Sequence, residues 1–161
     1  MGNEIKECGL YIIKDDYFTD FPSVCHMDNK HEKRPYYFAV KGENGIFWMV
    51  PISHMVEKYR DKMQRDETNH KKSVFCYISK LKGEDRAFLT GNVIPVSEAY
   101  IKRSFTVAGN PFVIEDQADI REISTRVKRY LTLVRLGKLT PAIDILHIEQ
   151  RLIASHAQES E

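Results

Sequence analysis

A chain of 161 residues, 42% of them hydrophobic, has the length of one domain and enough apolar material for a core. Its 24 Lys and Arg against 23 Asp and Glu leave a formal charge of +1, which excludes a polybasic protein that binds by bulk attraction. No apolar run approaches the roughly 18 residues of a spanning helix, and the charged start Met1-Gly2-Asn3-Glu4-Ile5-Lys6-Glu7 lacks the apolar middle of a secretory signal. The 3 cysteines, Cys8, Cys25 and Cys76, show no CxxC spacing and fit a reducing compartment better than a disulfide framework or a zinc site. A soluble, cytoplasmic protein without membrane association is expected, with a single domain over residues 1–156 and a disordered tail over 157–161.

In chain order, Gly9-Leu10-Tyr11-Ile12-Ile13 is a β-prone run and reads as a first strand. Asp15-Asp16 is placed to cap a helical turn that runs to Asp20 and ends before Pro22. Residues 36–41 and 46–50 are aromatic and β-branched runs flanking Asn44-Gly45, a pair that supplies positive φ, so a hairpin is predicted. A helix is expected over residues 55–65 and a strand over 74–78. Gly83-Glu84-Asp85 then turns the chain into a strand over 86–89. Residues 93–96 and 100–105 are weaker strands, the first limited by Pro95, and Gly109-Asn110-Pro111 is a turn.

The period then changes. Ile120, Ile123, Val127, Tyr130, Leu131 and Val134 follow helical spacing, which predicts an amphipathic helix over 119–136 stopped by Gly137 and Pro141. Ile145, Leu146, Glu149, Leu152 and Ile153 give a second helix. Strands first and helices last predict an α+β fold, an antiparallel sheet packed by C-terminal amphipathic helices.

The 6 histidines show neither HExxH nor HxH spacing, the aspartates form no EF-hand loop, and the glycines assemble no phosphate loop. No metal and no cofactor are therefore expected. Pro51-Ile52-Ser53-His54 stands where a strand gives way to a helix, a rigid place to present a nucleophile or a base. In a strand Ser53 and His54 would face opposite sides; in a turn both could face one pocket. Spacing alone favours the plainer reading of Ser53, a cap on the helix that follows.

Asn29-Lys30-His31-Glu32-Lys33-Arg34-Pro35-Tyr36-Tyr37 interleaves cations with aromatics. Lys30, Lys33 and Arg34 are suited to phosphates and Tyr36 to a base, as in a single-stranded RNA track. The plainer alternative is a solvated loop whose tyrosines anchor it to the core. The long helix carries Arg121, Arg126, Lys128, Arg129 and Arg135 off its apolar stripe, either as a solvated face or, for Arg121, Lys128 and Arg135, as one wall of an RNA groove.

Residues 10–18 (LYIIKDDYF), 34–37 (RPYY), 47–54 (FWMVPISH) and 105–111 (FTVAGNP) together resemble one family in order and spacing. It is the endoribonuclease toxins of type III toxin–antitoxin systems, the ToxN/AbiQ/CptN group, and its CptN branch most closely. The resemblance implies a twisted antiparallel sheet with helices, similar to MazF/Kid toxins. It also implies metal-independent cleavage of cellular or phage mRNA in a phage-defence setting. Inhibition would come from a repeated pseudoknot RNA antitoxin, in an RNA-bridged hetero-oligomer. The family's active-site tyrosine falls on Tyr17, and the first hydroxyl of its Pro-apolar-[Ser/Thr]-Ser element falls on Ser53, with His54 in place of the second. A lysine of the following helix is matched by Lys58, and a lysine at the start of the second strand is Tyr36 here, with Arg34 and Lys33 the nearest cations.

On that reading the ribose 2′-OH attacks the adjacent phosphate. His54 would transfer a proton, Ser53 position the phosphate, Tyr17 assist proton transfer or stack a base, and Lys58 offset charge. A non-catalytic RNA-binding protein using the same track is the rival reading, and an interaction domain without RNA is a third.

Overall fold

The structure, a computed structural model, describes residues 5–24, 34–68 and 74–159. The fold is α+β: a seven-stranded sheet with antiparallel pairings throughout its described strands, followed by two C-terminal helices. β1 (Leu10–Ile13) pairs with β2 (Pro35–Lys41), which forms the expected hairpin with β3 (Ile46–Ser53). Asn44 and Gly45 take φ of 57° and 78°, the left-handed conformation that this turn requires. Tyr36, Tyr37, Phe38, Trp48, Met49 and Val50 from the two strands are buried at the centre of the core.

The other edge of β3 is shared between two strands. β6 (Ile94–Ser97) pairs with residues 46–49, and β5 (Glu84–Phe88) pairs with Ile52 and Ser53. The changeover falls at Pro51, which has no N–H to offer a partner there; its carbonyl accepts from the Leu89 amide at 3.0 Å. β4 (Tyr77–Leu81) extends the sheet beyond β5, and β7 (Ile101–Ser104) closes its other side on β1. A two-residue ribbon of β8 (Thr106–Val107) and β9 (Asn110–Pro111) follows.

The β4–β5 turn is Lys82-Gly83, at φ of 57° and 78°, so it comes earlier than the expected Gly83-Glu84-Asp85. The strand expected over 74–78 also begins later. The Val74 carbonyl accepts from the Thr90 hydroxyl at 2.7 Å and the Phe75 carbonyl from the Gly91 amide at 2.9 Å. Those backbone groups serve the 3-10 turn Thr90–Asn92 instead of a sheet partner.

In α1 (Asp15–Asp20) the N-cap is Lys14, not an aspartate; Asp15 and Asp16 occupy the first turn, where carboxylates suit the helix dipole. α2 (Val56–Thr68) leaves the end of β3. α3 (Gln117–Arg135) is capped by Asp116, whose carboxylate accepts from the Asp119 amide at 3.0 Å, and it buries Ile123, Val127, Tyr130, Leu131 and Val134. At its end Gly137, at φ 72°, lets the Lys138 amide reach the Leu133 carbonyl at 2.9 Å. α4 (Ile145–Glu159) continues past the boundary given to a disordered tail, so the chain is helical as far as Glu159. α3 packs on β2, and α4 on β6 and β3. Among the described residues no helix is long and apolar enough to cross a membrane.

Candidate active site

β3 ends at Ser53, and the chain bends at His54 before entering α2. Strand alternation holds to this point. Ile52 and His54 both line one cleft, while Ser53 between them is buried, so the two candidates face opposite sides. The β3–β5 register sets Ile52 against Phe88 and Ser53 against Ala87; its continuation sets His54 against Arg86. Both line a cleft of about 390 Å³, together with Pro35, Lys82 at the turn, and Phe105 after β7. An imidazole, a guanidinium, an ammonium and a phenyl ring thus open on one volume.

Arg86 donates to the Glu84 carboxylate at 2.6 Å and to the Asp85 carbonyl at 2.7 Å. The Glu84 side chain is 70% exposed, so this ion pair is weak, and the guanidinium is free to exchange it for a phosphate. The position of Arg86 is fixed from behind. Its cross-strand neighbour is Ser79, and the Ser79 hydroxyl and Tyr77 phenol both donate to the same Asp119 oxygen at 2.8 Å. The first turn of α3 therefore holds the β4–β5 hairpin in place. Burial, with the Asp119 hydrogen bond behind it, pushes the Tyr77 phenol up to about 12.

On the other side of the strand Ser53 does structural work. Its Oγ accepts from the Met55 amide at 3.1 Å, just before α2, and its neighbour Ala87 sits in a small core with Cys76, Leu89, Tyr59 and Met63. The side chain of Ser53, expected to position the phosphate, does not line the cleft that holds His54. Continuing the β2–β3 register places Arg34 opposite Ser53, and the Arg34 Nε is buried without a hydrogen-bond partner among the described residues. Lys58 is exposed on α2 with its ammonium 5.4 Å from the centre of the neighbouring Tyr59 ring, and it does not line the cleft.

Tyr17, expected at the reacting group, does not line the cleft. It is fully buried, packed against Phe18, Phe21 and Tyr100, and its phenol donates to the Pro95 carbonyl at 2.7 Å. Pro95 stands opposite Trp48, separated from Ser53 by roughly 17 Å of extended strand. Burial, then the neighbouring Tyr36 phenol, raises the Tyr17 pKa well above its ordinary value, so the proton stays on the oxygen. Tyr36 is also completely buried, in keeping with the plainer reading of tyrosines that anchor the loop to the core, and it presents no exposed face for stacking.

The basic helix divides as well. Arg135 grips Glu149 with both terminal nitrogens at 3.0 and 2.8 Å, tying α3 to α4, and lies 5.9 Å from the centre of the Trp48 ring. Its side chain is half exposed, but both terminal nitrogens are engaged by Glu149. Arg126 donates to the Cys76 carbonyl at 3.2 Å and covers the Tyr77 ring. Arg121, Lys128 and Arg129 remain on the exposed face. Lys30 and Lys33 lie outside the described residues.

Lys82, Arg86 and Phe105, which line the cleft, had no site role assigned to them from the sequence. The local signal available was the Lys82-Gly83 turn, whose correct placement would have put Arg86 on the same face as Glu84. Among the described residues no three His, Cys, Asp or Glu side chains gather into a group suited to a metal ion. No family model and no curated protein matches the chain.

Proposed function

We propose that the protein is a metal-independent endoribonuclease acting on single-stranded RNA, the toxin of a type III toxin–antitoxin system held inactive by a repeat RNA antitoxin. The observation that carries the reading is the apposition of His54 and Arg86 in one cleft, with Lys82 beside them. In the reaction the 2′-OH loses its proton as its oxygen attacks the adjacent phosphorus. The phosphorane then expels the 5′-oxygen, which takes up a proton. Imidazole is suited to proton transfer near neutral pH, and two cations suit the charge that develops on the phosphorane. Phe105 offers a flat face to a neighbouring base. The antitoxin and the toxin's place in such a system are supported by the resemblance in motifs, and the exposed cations of α3 supply phosphate contacts for a longer RNA.

The test is incubation of purified protein with single-stranded RNA in excess EDTA, followed by analysis of the product ends. A 2′,3′-cyclic phosphate and a 5′-hydroxyl, both lost in His54→Ala, are expected. Binding without cleavage would instead establish the non-catalytic RNA-binding protein.

A further inference from the structure

A second cavity, of about 580 Å³, lies between α1, the β2–β3 turn, the end of β6 and α4. It is remote from the cleft. Phe47, which lines it, is separated from His54 by roughly 23 Å of extended strand. Its walls hold three aromatic rings (Phe21, Phe47 and Tyr100), and its polar groups are unevenly committed. The Asp20 carboxylate accepts from the Tyr100 phenol at 2.7 Å. The Arg151 guanidinium stacks 4.8 Å from the centre of the Phe21 ring, yet it makes no hydrogen bond or ion pair to a described residue. Glu98 likewise makes no hydrogen bond or ion pair to a described residue, nor do the hydroxyls of Ser97 and Ser155. Arg151 and Glu98 are both exposed, so these charges are solvated and open to a ligand.

We propose that this cavity is a binding site for a guanine nucleotide unit of RNA, an exosite distinct from the cleavage cleft. A ligand that satisfies these groups needs an anion for Arg151, a flat body for the rings, and a donor edge for Glu98. A nucleotide has all three. Among the bases, guanine presents an N–H and an amino group side by side on its Watson–Crick edge, the arrangement that a carboxylate accepts with both oxygens. A basic peptide would meet Glu98, but Asp20 is already engaged by Tyr100, and such a peptide would bring a second cation against Arg151 and no flat body for the rings. The volume lies within the range of small-molecule sites. The inference rests on the RNA-cleaving reading for its biological ligand, whereas binding at the exosite is read without cleavage.

The experiment is titration of the full chain with guanosine, inosine and adenosine 5′-monophosphates, followed by NMR shifts at residues 97–100 and by calorimetry. The guanine nucleotide is expected to bind at least about tenfold more tightly than inosine monophosphate, which lacks the amino group. Glu98→Gln should remove that preference, and Arg151→Ala should weaken the monophosphate at least about tenfold while sparing guanosine. A 2′-O-methyl oligoribonucleotide with one guanine, which cannot be cleaved by 2′-OH attack, should displace the monophosphate. Failure to do so would make this a site for the free nucleotide and overturn the RNA exosite. His54→Ala should bind the nucleotide as the unaltered chain does. Equal affinity for the three nucleotides, no binding by any, or an unchanged preference in Glu98→Gln would overturn the exosite. A chain that binds the guanine nucleotide but cleaves no RNA would overturn the nuclease reading alone.

Discussion

Along its first half β3 is enclosed on both edges, by β2 and by β6, and the outward carbonyl of Pro95 beyond it is occupied by Tyr17. At its far end β3 lies between β2 and β5 and runs out at His54, which meets Arg86 and Lys82 at a cleft. Tyrosine and histidine are both used to move protons, yet only one of these two opens on a cleft. Tyr17 holds its proton in a low-dielectric interior and works as an edge cap, doing for the sheet what another strand would otherwise do. A residue's chemistry here is decided by which end of the strand it reaches.

The largest expected effect separates those ends. His54→Ala should lower the cleavage rate by about 10²–10⁴-fold with an unchanged melting temperature. Arg86→Ala, removing one preorganised donor, should lower it by about 10²–10³-fold. Tyr17→Phe should do the reverse, keeping turnover while costing about 1–3 kcal/mol of stability, because the Pro95 carbonyl is left without its donor. Melting curves run beside single-turnover rates read both quantities. A Tyr17→Phe protein that melts normally but cleaves poorly would reverse the assignment of the two ends.

Legibility in the sequence followed the range of the interactions. The Asn44-Gly45 hairpin and the 3.6-residue stripe of α3 are local, and both were readable from composition and spacing. The start of β4 was not, because Val74 and Phe75 are β-prone while their carbonyls are taken by Thr90 and Gly91, residues distant in sequence. His54 could be singled out by its place at the end of a strand. Its partner Arg86 could not, since their apposition depends on β5 joining β3 after the intervening α2 and β4. Tyrosine is amphipathic, so no pattern around Tyr17 or Tyr36 distinguished a core ring from an exposed one.

Ser53 gives a smaller and sharper comparison, since it is bonded to His54 in sequence but separated from it by the strand's alternation. Ser53→Ala should cost about 0.5–1.5 kcal/mol through loss of the bond from the Met55 amide, with turnover nearly intact. A loss of rate approaching that of His54→Ala, at unchanged stability, would return Ser53 to the reacting group.

The smallest effect compares two cations of one helix. Lys128 and Arg135 are both exposed, but Arg135 is held by Glu149, a carboxylate only 9% exposed as a residue. If RNA crosses the outer face of α3, Lys128→Glu removes a phosphate contact and the counterion release that goes with it. The slope of log affinity against log salt should then flatten by roughly 0.7, with no change in melting temperature. Arg135→Ala should leave that slope alone and lower stability instead, because the Glu149 carboxylate loses its partner in a poorly solvated place. Affinity measured at several salt concentrations, with melts of the same two variants, distinguishes these outcomes. A Lys128→Glu protein with an unaltered slope would take this face out of the RNA path and leave the cleft as the main phosphate contact.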